Sequence, residues 1–104
     1  MCDKNSDEFI KNLIYKKKVV VFGYETDEYT KKSIELFKNR FKYETTNVYL
    51  DNISNEINKL KLEECLKIKS KTNVIPMIFI NGMFMGNYSS IDNMDYRKDL
   101  EIFF

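Results

Sequence analysis

Hydrophobic positions fall in two rhythms along this chain. Phe9, Ile10, Leu13 and Ile14 share one helical face. Ser6 is placed to cap that helix, and Asp7 and Glu8 suit the positive end of its dipole. This predicts a first helix that ends near Lys16. Val19-Val20-Val21-Phe22 is an unbroken apolar run, the mark of a strand covered on both faces, and Gly23 ends it. Asp27 then caps a second helix, with Ile34, Phe37 and Phe41 on one face and Lys31, Lys32, Glu35 and Lys38 toward water. From Lys42 to Leu50 a loose alternation through Tyr43, Thr45, Val48 and Leu50 predicts a second strand. Asp51 or Asn52 opens a third helix. Ile53, Ile57, Leu60 and Leu66 line its apolar side, and Lys69-Ser70-Lys71 closes it. Met77 to Ile80 and Met83 to Met85 are short apolar runs about Asn81-Gly82, a strong hairpin signal. Ser89 or Ser90 caps a last helix that runs to about Ile102, with Asp92 completing a weak capping box.

The order is helix, strand, helix, strand, helix, strand, strand, helix. A helix between the first two strands makes them parallel neighbours, and the last pair is antiparallel. The expected fold is an α/β sandwich of three layers with a four-stranded mixed sheet. Its 104 residues suffice for one domain with one core, in which 1–17 form an N-terminal helical extension and 18–104 the core.

Composition narrows the chemistry. A hydrophobic fraction of 43% supports a folded chain. There is no apolar run long enough for a membrane span, and Met1 to Asp7 is too polar for a secretory leader, so a cytoplasmic location is expected. Net charge is +1, which gives no global case for nucleic acid, and no specific nucleic-acid motif is present. The local clusters Lys16-Lys17-Lys18, Lys31-Lys32 and Lys67, Lys69, Lys71 read first as solvated lysines and second as a phosphate-facing patch. The chain has no histidine, so the usual neutral-pH base and the commonest metal ligand are missing. Cys2 and Cys65 form no C-x-x-C pair and cannot by themselves build a zinc site. Cys2 is expected in a mobile terminal segment and Cys65 as a small hydrophobe on a helix.

Val74-Ile75-Pro76 holds the only proline and leads into Met77-Ile78-Phe79-Ile80-Asn81-Gly82-Met83-Phe84-Met85-Gly86. With the element order, this stretch resembles the T-V-P-x-V-F-I-x-G-x-x-I-G segment of glutaredoxins, a family with the thioredoxin fold. The resemblance runs from about Lys18 to Phe104 and implies a cis bond at Ile75-Pro76. It sets the family's C-P-Y-C motif on Asp27-Glu28-Tyr29-Thr30, so Tyr29 matches while Asp27 replaces the nucleophilic cysteine and Thr30 the resolving one. A carboxylate cannot exchange a disulfide, and Asp27 reads as a helix cap. The family's glutathione-binding lysine corresponds to Tyr24, and its aspartate for the ligand's ammonium to Ser89. Glutathione binding is therefore not expected, nor any other cofactor or metal.

The residues imply a degenerate member with no catalytic group, Asp27 and Thr30 marking the lost centre. Its old substrate groove, lined by Tyr24, Tyr29, Ile75, Pro76, Tyr88 and Ser89, offers tyrosines and a backbone edge to another macromolecule. A protein or ribonucleoprotein partner is expected, with no membrane. The aromatic ending Ile102-Phe103-Phe104 is a second candidate contact. The alternative is a residual glutathione-dependent thiol-disulfide oxidoreductase, which Thr30, with no base nearby, supports poorly.

Overall fold

The run Val19–Gly23 forms a strand (β1) whose residues are all buried, and its side chains alternate between two cores. A computed structural model describes residues 2–53 and 58–94 of the chain. Val20 and Phe22 face one layer, where Ile10 and Ile14 of α1 (Lys4–Lys16) meet Leu62, Cys65 and Leu66 of α3 (Lys59–Ser70). Val19 and Val21 face the other layer. There they meet Phe37 and Phe41, which continue α2 (Glu28–Leu36) in a wider turn, and Ile91 of α4 (Tyr88–Asp92). An unbroken apolar strand is what a sheet covered on both faces requires.

β2 (Thr46–Tyr49) pairs parallel to β1, with Val21 opposite Asn47. β3 (Met77–Ile80) pairs antiparallel on the other side of β1, with Val21 opposite Ile78. β4 (Met83–Gly86) pairs antiparallel to β3, so the sheet order is β2-β1-β3-β4. The β3–β4 turn places Asn81 and Gly82 at φ 49° and 84°, the left-handed conformation that an Asn-Gly hairpin turn uses. The three-layer α/β sandwich with a mixed four-stranded sheet is thus the fold. No helix of the described residues is long and apolar enough to cross a membrane.

Several element ends differ from the sequence expectation, each because a neighbouring polar group wins. α1 starts at an Asp3 cap, whose carboxylate accepts the Ser6 N–H; Ser6 itself is buried inside the helix. α3 is capped by Asn58 and not by Asp51 or Asn52, which lie in a single tight turn, Leu50–Asn52. Asp51 spends its carboxylate on the β1–α2 loop, so it is not free to start a helix. Leu60 is 76% exposed, whereas Leu62, Cys65 and Leu66 carry the buried face of α3. α4 is capped by Asn87 in a reciprocal box with Ser90, in place of Ser89 with Asp92. Ile57 and the expected continuation of the last helix, with Ile102-Phe103-Phe104, lie outside the described residues.

The cysteines also depart from expectation. Cys65 is fully buried, as a small hydrophobe would be, but it is joined to Cys2 by a disulfide spanning 63 residues. The segment before α1 is therefore tied to α3. Asp7 of α1 adds an ion pair to Lys69 of α3 at 2.7 Å. Sequence spacing could not reveal the pairing, because it arises only when α1 and α3 share one face of the sheet.

Candidate functional site

The site is built where β1 stops. Gly23 ends the strand, and a Cβ there would collide with Thr30 Oγ1, so only glycine allows α2 to approach this closely. Asp27 caps α2: its Oδ2 accepts both the Thr30 N–H and the Thr30 hydroxyl, each at 2.9 Å. Thr30 is 1% exposed. The two positions that the family resemblance matches to cysteines thus bond to each other in the cap of α2. Across the loop, Asp51 accepts the Glu25 N–H at 2.9 Å and the Thr26 hydroxyl at 3.4 Å. These bonds, the one from Glu25 first, hold the Asp51 carboxyl below the usual carboxylate range.

The expected groove divides into two cavities that meet at Ile75. The first, about 290 Å³, is lined by Tyr29, Val74, Ile75, Asn87, Tyr88 and Ser89. Tyr29 and Tyr88 stack obliquely with ring centroids 5.6 Å apart, and Lys32 Nζ lies 5.3 Å from the Tyr29 ring. The second cavity, about 280 Å³, has Tyr24, Ile75 and Met77 on one side and Leu60, Glu63 and Glu64 of α3 on the other. Tyr24 therefore does not share a cavity with Tyr29 and Tyr88. Its hydroxyl donates to Glu63 Oε1 at 3.2 Å, and Lys59 Nζ lies 5.6 Å from its ring. Burial, followed by the adjacent Glu63 carboxylate, raises the Tyr24 phenol above its ordinary range.

Ile75 joins the two halves. The Ile75–Pro76 bond is cis, and Pro76 is buried beneath the surface without lining either cavity. Neither the N–H nor the C=O of Ile75 has a hydrogen-bond partner among the described residues. Three strongly exposed apolar side chains flank this free edge: Tyr29 at 52%, Val74 at 47% and Leu60 at 76%.

The sequence reading therefore located Tyr29, Ile75, Tyr88 and Ser89 together and missed the wall supplied by α3. That wall had a signal. Leu60, Glu63, Glu64 and Lys67 follow the i, i+3, i+4, i+7 spacing of one helical face, and all four line the second cavity. Val74 and Asn87, next to residues already singled out, complete the first. For metals, the ligating atoms of Cys2, Asp7 and Cys65 lie within 4.8 Å of one another among the described residues. Both sulfurs are consumed in the disulfide, however, and Asp7 is paired with Lys69 and Lys11, so this arrangement offers no free donor set.

No protein-family model matches the chain, and no curated protein matches it. Solved structures do. A dithiolic glutaredoxin from Trypanosoma brucei brucei is 31% identical, with 90% of this chain and 93% of that one covered and a TM-score of 0.75. Wheat glutaredoxin is 18% identical over 99% of this chain and 93% of its own, with a TM-score of 0.84. A buckwheat glutaredoxin in complex with glutathione is 17% identical over 97% and 92%, at TM-score 0.79.

Proposed function

This chain belongs to the glutaredoxin family, and from that premise we propose that it is a redox-inactive member serving as a binding or structural module for another macromolecule. The observation that carries the reading is the Asp27–Thr30 cap. A glutaredoxin thiolate owes its reactivity to a helix N-terminus. Here that N-terminus holds a carboxylate that accepts two hydrogen bonds from one buried threonine. Thiol–disulfide exchange proceeds through a thiolate, and neither a carboxylate nor a hydroxyl can take its place.

What remains is a surface. The unpaired main chain of Ile75 offers one donor and one acceptor to an extended segment, as an added strand would use them. Tyr29, Val74 and Leu60 supply apolar contact on both sides of it. Glutathione fits this surface poorly. Tyr24 stands where the family lysine would meet a carboxylate, and Glu63 and Glu64 outnumber Lys67 among the charged residues that line the same cavity. The favoured occupant is an extended protein segment, in a protein or ribonucleoprotein partner that the lysine clusters also contact. A cytoplasmic location goes with this reading.

The test has two arms. Glutathione-dependent reduction of a mixed disulfide is measured for the Cys2→Ser variant and for the same variant with Asp27→Cys and Thr30→Cys added. The expected result is no turnover in the first and measurable turnover in the second. Turnover without the restored cysteines would instead make the chain a glutathione-dependent oxidoreductase. In the second arm, the chain is recovered from its native source. A partner retained by the wild type and lost with Val74→Asp is expected, and recovery only as a free monomer would sink the binding role.

A further inference from the structure

The sulfur missing from α2 has a counterpart in the opposite outer layer. Cys65 lies in the middle of α3 and is 0% exposed, whereas Cys2, just before the Asp3 cap of α1, is partly exposed. Their disulfide ties the residue before the α1 cap to α3, beside the Asp7–Lys69 ion pair and the packing of Ile10 and Ile14 against Leu62 and Leu66. The residues that flank Cys65 on α3 (Glu63, Glu64 and Leu66) form the wall of the cavity beside Ile75. A change at Cys65 is thus one residue away from the surface proposed to receive a partner.

We infer that Cys2–Cys65 is a thiol-reactive latch. Its reactant class is a low-molecular-weight thiol, and its state sets how firmly the start of α1 and the middle of α3 are held. The chemistry enters by one sulfur only, since Cys65 is sealed from solvent. An incoming thiolate attacks Cys2 Sγ, the Cys2–Cys65 bond breaks, and its electron pair leaves on Cys65 Sγ, which takes a proton. Cys2 then carries a mixed disulfide. A second thiol attacks the small-molecule sulfur of that bond, releasing Cys2 as a thiolate that takes a proton and forming the small-molecule disulfide. Two thiols are oxidised and one protein disulfide is reduced.

Geometry favours a latch over a catalyst. A catalytic pair needs a thiol at a helix N-terminus facing a substrate cavity. Cys65 is mid-helix and lines neither cavity. After reduction α1 keeps its ion pair at Asp7 and its buried Ile10 and Ile14, so the sheet stays formed. Only the segment before Ser6 and the Cys65 turn lose a tether. The latch does not depend on what the groove binds, although it reaches the groove through α3.

The full chain is equilibrated in buffers running from glutathione disulfide to reduced glutathione, quenched by alkylation, and weighed intact. Amide hydrogen exchange is followed on the same samples. We expect no alkylation at the oxidised end and two groups added together at the reduced end. With reduction, amides at the start of α1 and across Leu62–Leu66 exchange about tenfold faster while β1 and β3 keep their protection. Cys2→Ser gives the faster pattern in both buffers. Free thiols at the oxidised end, unchanged exchange on reduction, or loss of protection across the whole sheet would each overturn the latch.

Discussion

The start of α2 and the Cys2–Cys65 corner make an instructive pair. Both bind a helix to its surroundings, one with a carboxylate and the other with sulfur. At α2 the helix end is capped by Asp27 with Thr30 buried behind it, and no cysteine stands there. At the corner both cysteines of the chain are present, but Cys65 sits mid-helix and Cys2 precedes a cap whose carboxylate already takes the Ser6 N–H. Thiol chemistry of the glutaredoxin kind needs sulfur and a helix N-terminus in one place. This fold keeps each but separates them into opposite outer layers of the sandwich. The difference shows that a preserved scaffold and a preserved residue type do not make a site until the topology brings them together.

The largest expected effect comes from cutting the covalent side of that pair. Cys2→Ser opens a loop closed between positions 63 apart in sequence, and the oxidised protein should lose about 3 kcal/mol of stability. Thermal or denaturant unfolding of wild type and variant, each with and without reductant, checks this. Adding reductant to the wild type should bring it to the variant, and the variant should not respond. Equal stability of all four samples would mean the bond adds nothing to the fold.

A smaller effect is expected at the polar side. Asp27→Ala removes the acceptor of the Thr30 N–H and of its hydroxyl. Losing such a cap costs about 1 kcal/mol, and the buried Thr30 hydroxyl left without its acceptor adds to it. Asp27→Asn keeps one acceptor oxygen and should recover most of the loss in the same unfolding measurement. If Asp27→Ala proved as stable as the wild type, Asp27 would have been kept for something other than the cap.

How far each region was legible from sequence follows from the range of its interactions. The Asp27 cap is local, because the acceptor and both donors lie within three residues, and it could be read from residue types alone. The strands were legible for a similar reason: β1 is buried throughout, and Asn81-Gly82 specifies its own turn. The start of α3 was not, because Asp51 has a better use for its carboxylate at Glu25, 26 residues away. The α3 wall was missed because its face, Leu60, Glu63, Glu64 and Lys67, is mostly charged and so reads as a solvated surface although its spacing is regular. The Cys2–Cys65 bond could not be read at all, since it depends on which two helices share a sheet face.

The smallest expected effect concerns the ionic tie beside the disulfide. Lys69 Nζ lies 2.7 Å from one Asp7 carboxylate oxygen and Lys11 Nζ lies 3.1 Å from the other. These cations, Lys69 first, hold the Asp7 carboxyl below the usual carboxylate range. A carboxyl whose folded value is lowered contributes stability that is present above the unfolded value and is lost as pH falls through the folded one. Asp7→Asn should therefore lower the melting temperature at pH 7, and the gap from wild type should close as pH falls below about 4. Lys69, whose side chain is 20% exposed, is shielded from salt more than Lys11, at 54%. Lys69→Met should accordingly reproduce most of the Asp7→Asn effect, and Lys11→Met little of it. The three variants melted across that pH range, with the disulfide intact and reduced, separate the ionic tie from the covalent one. If the disulfide alone holds the corner, the Asp7→Asn gap will be absent at every pH. If the ion pair shares the load, the gap will widen once Cys2–Cys65 is reduced.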